Sequence, residues 1–188
     1  SASATAEAEG VAQLDSTVTA LTVNGDVITS CYIDSVQAKV NFDQEGKIST
    51  DLTAPVLTKN QLGENYGMVA WGGAIAEWDQ QAAALASYAV GKTVEELKSG
   101  AIDETGKAPA GTDLATQATI YLGGYVSAIE KAVANAQHLG AQAGDTLKLV
   151  ATNEINGSTA ATAEEAGLSW TSECQGEQAH NKLIQPHR

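Results

Sequence analysis

The chain has 188 residues, 23 acidic against 10 basic side chains, and a net charge of −13. That balance excludes a nucleic-acid backbone as partner, because little basic surface is present to release its counterions, and it disfavours docking onto anionic lipid through basic side chains. An apolar fraction of 43% with one Phe, one Met and three Trp predicts a packed core assembled mainly from Ala, Val, Leu and Ile.

The opening run Ser1-Ala2-Ser3-Ala4-Thr5 is small and polar and reads as a mature or trimmed N-terminus, with residues 1–9 as a flexible lead into a domain over 10–160. Thr17 to Val23 alternates, Asn24-Gly25-Asp26 follows, and Val27 to Ile33 resumes the alternation. Asn-Gly between two such runs predicts a β-hairpin with Asn24 and Gly25 as the central turn pair, both at positive φ. A second strand pair is expected from Ala38–Phe42, the Asp43-Gln44-Glu45-Gly46 turn and Lys47–Thr50.

Thr58-Lys59-Asn60-Gln61 has the form of a capping box and predicts a short helix ending near Gly63. From Gly73 to Val90 the apolar residues Ile75, Trp78, Ala82, Leu85 and Ala89 share one face at helical spacing. Gly91 supplies a stop, and Thr93-Val94-Glu95-Glu96 opens a further helix that closes near Gly100. Residues 101–112 read as an exposed loop. A short strand over Thr119–Leu122 leads through Gly123-Gly124 into a helix reaching Leu139, with Val126, Ile129, Val133 and Ala136 inward. Thr146 to Thr152 alternates again. The expected class is α+β, with a four-stranded antiparallel sheet (17–23, 27–33, 38–42 and 146–152) packed on two main helices.

Ala4-Thr5-Ala6-Glu7-Ala8-Glu9-Gly10 recurs as Ala161-Thr162-Ala163-Glu164-Glu165-Ala166-Gly167, differing only in the order of one Ala-Glu pair. Either the Ala/Glu bias produces this, or a second copy of the unit begins near residue 161, ahead of an irregular tail to 188.

Most catalytic signatures fail. Gly91-Lys92-Thr93 lacks the leading glycine and preceding strand of a phosphate loop and reads as a helix stop followed by an N-cap. His138, His180 and His187 have no zinc spacing, and His138 reads as a cation near a helix C-terminus. No calcium ladder and no nucleophile elbow are present. Cys31 reads as a small buried hydrophobe; a bridge to Cys174 stays open. No catalytic residue is expected.

Asp113-Leu114-Ala115-Thr116-Gln117-Ala118-Thr119-Ile120, ahead of Gly123-Gly124, reads in two ways. It is a Thr-rich strand edge leading to a glycine cap, or a set of hydroxyls and free N–H groups suited to a phosphate at a helix N-terminus. Trp71, beside Gly72-Gly73 and near Tyr66 and Met68, is either a junction anchor or the wall of a ligand cleft. Trp78 is expected in the core.

Thr17–Asp34 resembles the opening hairpin of the FMN-binding domain, found in flavin-carrying subunits of sodium-pumping and Rnf-type electron-transport complexes and in bacterial surface lipoproteins. Asp113–Ile120 with the following Ala-, Ile- and Val-rich helix is similar to that family's Asp-x-x-Ser/Thr-Gly-Ala-Thr-x signature, in which the last Thr, matching Thr119, takes FMN through a phosphoester. Ser35–Asp43, Leu62–Met68 and Ile75–Trp78 resemble a related group of Gram-positive surface lipoproteins, which often carry tandem copies. The resemblance spans roughly residues 10–168. It implies FMN with its phosphate near Asp113, Thr116 and Thr119 at Gly123–Gly124, Asp113 ordering the loop by accepting backbone N–H bonds, and the ring toward Trp71 or Tyr66. Gln117 stands where the signature has glycine and obstructs close approach, so the expected flavin is held without a covalent bond. The implied protein is a lipid-anchored, cell-surface flavin carrier in extracellular electron transfer, or a flavin-free binding or structural module of the same fold. Its implied partner is a small molecule, not nucleic acid, and it meets the membrane only through a lipid anchor.

Overall fold

A long β-hairpin begins the architecture. In a computed structural model that describes residues 1–142 and 144–160, β1 (Gly10–Asn24) and β2 (Val27–Phe42) form a two-stranded antiparallel sheet. With the helices that follow, this places the chain in the α+β class. The turn lies one residue later than expected: Gly25 and Asp26 are the central pair, and only Gly25 has positive φ, at 59°. That pattern belongs to a type II′ turn, which needs glycine at its first central position only.

The four-stranded sheet is not formed. Ala38–Phe42 continues β2, because Asp34-Ser35-Val36-Gln37 stays extended within the same strand. The Asp34 carboxylate is buried, accepting the N–H groups of Ser35 (2.7 Å) and Asn60 (3.2 Å). Lys47–Thr50 returns only as a single bridge between Phe42 and Ile48. Thr146–Thr152 is irregular, with Val150 81% exposed. Alternation alone makes no strand where no sheet edge pairs with it.

The chain divides into two compact units. The first comprises Ser1–Ser16, Val36–Thr58 and the described residues 152–160, and it closes on Ala38, Val40 and Ile155. The second comprises Thr17–Ser35 and Lys59–Ala151, and carries all the helices found among the described residues. These are α1 (Lys59–Leu62), a 3₁₀ turn over Gly63–Tyr66, α2 (Met68–Gly72), α3 (Trp78–Ala89), α4 (Val94–Ala101), α5 (Asp113–Gln117) and α6 (Gly123–Ala134). The repeat beginning at Ala161 and the tail with Cys174 lie outside the described residues.

In the second unit α3 is central, packing against α1, α4 and α5. Its inner face is the expected one, with Trp78, Ala82, Leu85 and Ala89 buried beside Ile28, Leu97 and Ile129. Ile75 leaves that face and is 57% exposed, because the helix starts only after Glu77, whose extended backbone ends the preceding loop. Gly91 stops α3 at φ 81°, and its N–H donates to Ile28 O (2.8 Å) while Ile28 N–H donates to Lys92 O (3.0 Å). The Gly91-Lys92-Thr93 segment is thus a helix stop that also covers part of β2. Thr93 then opens α4 with reciprocal bonds, its N–H to Glu96 Oε2 (2.9 Å) and Glu96 N–H to its hydroxyl (3.3 Å).

Of the loop expected over 101–112, residues 102–112 are irregular, but Ala101 is the buried last residue of α4 and Ala108 is buried as well. Thr119–Leu122 is not a strand. A glutamine side chain takes the Thr119 and Ile120 N–H groups that a strand partner would have taken, and Leu122 N–H donates to Gly106 O (2.7 Å). Helix α6 ends at Ala134, earlier than expected, because the Asn135 side chain donates to Lys131 O (2.7 Å) at its C-terminus. Ala136 and His138 therefore lie beyond the helix, and His138 Nδ1 accepts the Gly140 N–H at 3.3 Å.

A Cβ on Gly25 would meet nothing within 4 Å, so the cost of replacing it lies in the backbone alone. Gly25→Ala is expected to lower unfolding free energy by about 1 kcal/mol, with Gly25→Asn losing less. Urea unfolding of both variants measures this.

Candidate functional site

Of the residues singled out for a phosphate, Asp113 occupies the first turn of α5 and Thr116 its last. The cap of α5 is Thr112, whose hydroxyl accepts the Ala115 N–H at 3.3 Å. Asp113 was expected to order this loop through its carboxylate; instead its main-chain carbonyl accepts the Thr116 hydroxyl (2.7 Å) and the Gln117 amide (3.3 Å). Thr119 follows in the connector. Gly123 and Gly124 open α6, where Leu122 at the N-cap supplies no side-chain bond.

Gln81 organises this region, although it was not among the residues expected there. It sits on α3 at 0% exposure. Its Oε1 accepts the N–H of Thr119 (2.8 Å) and Ile120 (3.2 Å) and lies 3.4 Å from the Thr119 hydroxyl, while Nε2 donates to Ala76 O (2.7 Å). A glutamine on an otherwise apolar helical face is the signal that could have revealed it, since a buried amide must find partners.

Tyr66 and Trp71 lie in different surroundings. The half-buried Tyr66 packs on the core, and the ammonium of buried Lys59 lies 4.8 Å from its ring centroid and 5.1 Å from that of Trp78. Trp78 is in the core as expected; its Nε1 donates to the Tyr125 hydroxyl (3.0 Å), the rings meeting edge to face at 5.7 Å. Trp71, by contrast, is 89% exposed on α2. The buried Glu77 carboxylate fixes that helix by accepting the N–H groups of Met68 and Val69, each at 2.9 Å. Gly67 is required beneath Trp71, since its φ is 80° and a Cβ there would collide with the indole.

A cavity of about 390 Å³ lies elsewhere in the second unit, lined by Cys31, Tyr32 and Ile33 of β2, Asn60 of α1, and Asp79, Ala83, Ala86 and Ser87 of α3. None of Tyr66, Trp71, Asp113, Thr116, Thr119, Gly123 or Gly124 lines it. The Asn60 amide group donates to Ile33 O (2.9 Å), which ties α1 to β2 at the cavity wall. Cys31 is an unbridged, half-buried thiol among the described residues, and burial pushes its pKa up to about 11, so it is neutral at pH 7. Asp79 Oδ1 is shut off from solvent and accepts no hydrogen bond among the described residues. The arrangement offers a partly apolar space with one carboxylate in its wall and no activated nucleophile. Among the described residues no group of acidic, His and Cys side chains is placed to hold a metal ion.

Comparison of the chain with known protein families, curated proteins and solved structures finds no match.

Gln81→Leu would strip the acceptor from two N–H groups and the donor from Ala76 O, and is expected to cost about 3 kcal/mol. Denaturant unfolding tests this, with faster amide exchange at Thr119 and Ile120 as its local signature. For Cys31, the native state keeps its proton between the ordinary value of 9.0 and about 11, where the unfolded chain has lost it. Its contribution to stability is present below pH 9 and is lost as pH rises through 11. Unfolding curves across that range should therefore fall more steeply for the parent than for Cys31→Ala.

Proposed function

We propose that the chain is a non-catalytic binding module of an exported, cell-surface protein, taking a small molecule into the cavity walled by β2, α1 and α3 without a flavin. One contrast carries this reading. The Thr116 hydroxyl and the N–H groups of Thr119 and Ile120 are already engaged within the chain. The cavity wall instead includes Asp79, whose carboxylate makes no ion pair among the described residues. A volume of about 390 Å³ falls in the range of small-molecule pockets, about 300–1,000 Å³. The resemblance to surface lipoproteins supports export and lipid anchoring, and the net charge of −13 fits a partner other than nucleic acid.

A second reading is the non-covalent FMN carrier of extracellular electron transfer, in an FMN-binding-domain-like fold. The first turn of α6 favours it, because Gly123 and Gly124 follow an N-cap without a side-chain partner and helix N-termini attract phosphate. In that reading the phosphate contacts Thr119 and the ring reaches Tyr66 or Trp71.

Titration with FMN separates the two. The flavin-free reading expects its fluorescence to stay unchanged and the intact mass of protein from a flavinylating host to equal that of the chain. Saturable quenching that is lost in Thr119→Ala and weakened in Trp71→Ala would establish the carrier instead. Protease treatment of intact cells tests surface display.

A further inference from the structure

We propose that Asn156 is a site of spontaneous covalent modification, an asparagine that cyclises onto the Gly157 nitrogen, while the fold protects the matching pair Asn24-Gly25. Both pairs are exposed, and each follows a β-branched residue, Val23 or Ile155, so the local sequence hardly tells them apart. A side-chain amide before glycine is open to attack by the next backbone nitrogen, because no Cβ shields it. The reaction needs the asparagine backbone to rotate until Cγ and that nitrogen meet, and extended backbone holds them apart. What differs between the two pairs is the cost of that rotation.

Asn24 is the last residue of β1, and the two-residue turn sets it opposite Val27, the first residue of β2. Turning its backbone unpairs the end of the hairpin and displaces Gly25, held at φ 59°. Asn156 belongs to no strand or helix. It lies in a turn over 155–158 closed by one bond, from Ser158 N–H to Ile155 O (3.0 Å), and the Gly157 N–H makes no hydrogen bond among the described residues. Its side chain is tied through Nδ2, which donates to Oε2 of the exposed Glu154 (3.3 Å). In the reaction the Gly157 nitrogen bonds to Asn156 Cγ, the Cγ–Nδ2 bond breaks, and ammonia leaves with the proton that Gly157 gives up. Solvent water then opens the cyclic imide at either carbonyl. The product is aspartate or isoaspartate at position 156, with one negative charge added in both. The isoaspartate form lengthens the main chain by one carbon beside Ile155, whose buried side chain closes the first unit with Ala38 and Val40.

Peptide mapping by mass spectrometry during incubation in mildly alkaline buffer tests this, on the native protein and in urea where circular dichroism shows the chain unfolded. The exchange of NH2 for OH marks each site, and chromatography separates isoaspartate from aspartate. In the native protein Asn156 should convert roughly tenfold faster than Asn24, the effect of about one further hydrogen bond broken on the way to the ring. In urea the two rates should converge, because the strand pairing is gone. Gly157→Ala should slow conversion at position 156 in both conditions and leave Asn24 unchanged. Native conversion of Asn24 as fast as that of Asn156 would overturn the proposal. A difference of the same size persisting in urea would also overturn it, by assigning the effect to sequence instead of fold. So would an Asn156 that reacts in urea but not in the native protein, or an undiminished rate in Gly157→Ala.

Discussion

The second unit depends on the placement of one uncharged polar side chain. Gln81 is fully buried on α3, and its amide accepts from the connector between α5 and α6 while donating to the loop before α3. A carboxamide is suited to this because it has both an acceptor and donors at one end of a short stem. Gln81 itself is fully buried, and leaving its own amide without partners would cost more than each bond contributes. The Thr119–Leu122 segment can therefore remain extended without belonging to a sheet. The same bonds place α6, since Leu122, fully buried, leads directly into Gly123.

Two buried carboxylates work on the same principle at other joints. Asp34, in the hairpin, accepts the Asn60 N–H at the start of α1, and Glu77 accepts two N–H groups at the start of α2. In each case an acidic side chain distant in sequence serves a helix too short to be stable alone. Lys59 completes the region as a cation over Tyr66 and Trp78, its stem buried and its charge met by ring faces. These polar joints hold α1 and α3 where, with β2, they wall the cavity.

The flavin expectation and the cavity reading differ in what they ask of the same unit. A phosphate at Gly123–Gly124 would draw on the first turn of α6, with the neighbouring Thr119 N–H already given to Gln81. A small molecule in the cavity would instead meet Asp79, whose carboxylate makes no ion pair among the described residues. The fold thus distributes its unsatisfied polar capacity unevenly, and that imbalance directs the functional reading toward the α3 side.

Local chemistry alone determined the hairpin, the α3 stop at Gly91, the reciprocal cap of α4 and the inward face of Trp78, Ala82, Leu85 and Ala89. Each follows from neighbours within a few residues: alternation, a glycine able to take positive φ, a Thr-x-x-Glu pair, and a helical period. Tertiary structure decided the rest. Thr146–Thr152 alternates as well as a strand does but pairs with neither strand of the hairpin, and Ile75 keeps helical spacing yet lies outside α3 because Glu77 begins it. Neither Asp34 nor Gln81 could be matched in sequence to the helix or connector it serves, 26 and 38 residues away in Asn60 and Thr119. The cavity was equally illegible, since Cys31, Asn60 and Asp79 meet only through the packing of β2, α1 and α3. Period and propensity act along the chain, whereas the satisfaction of buried polar groups is settled between segments brought together by folding.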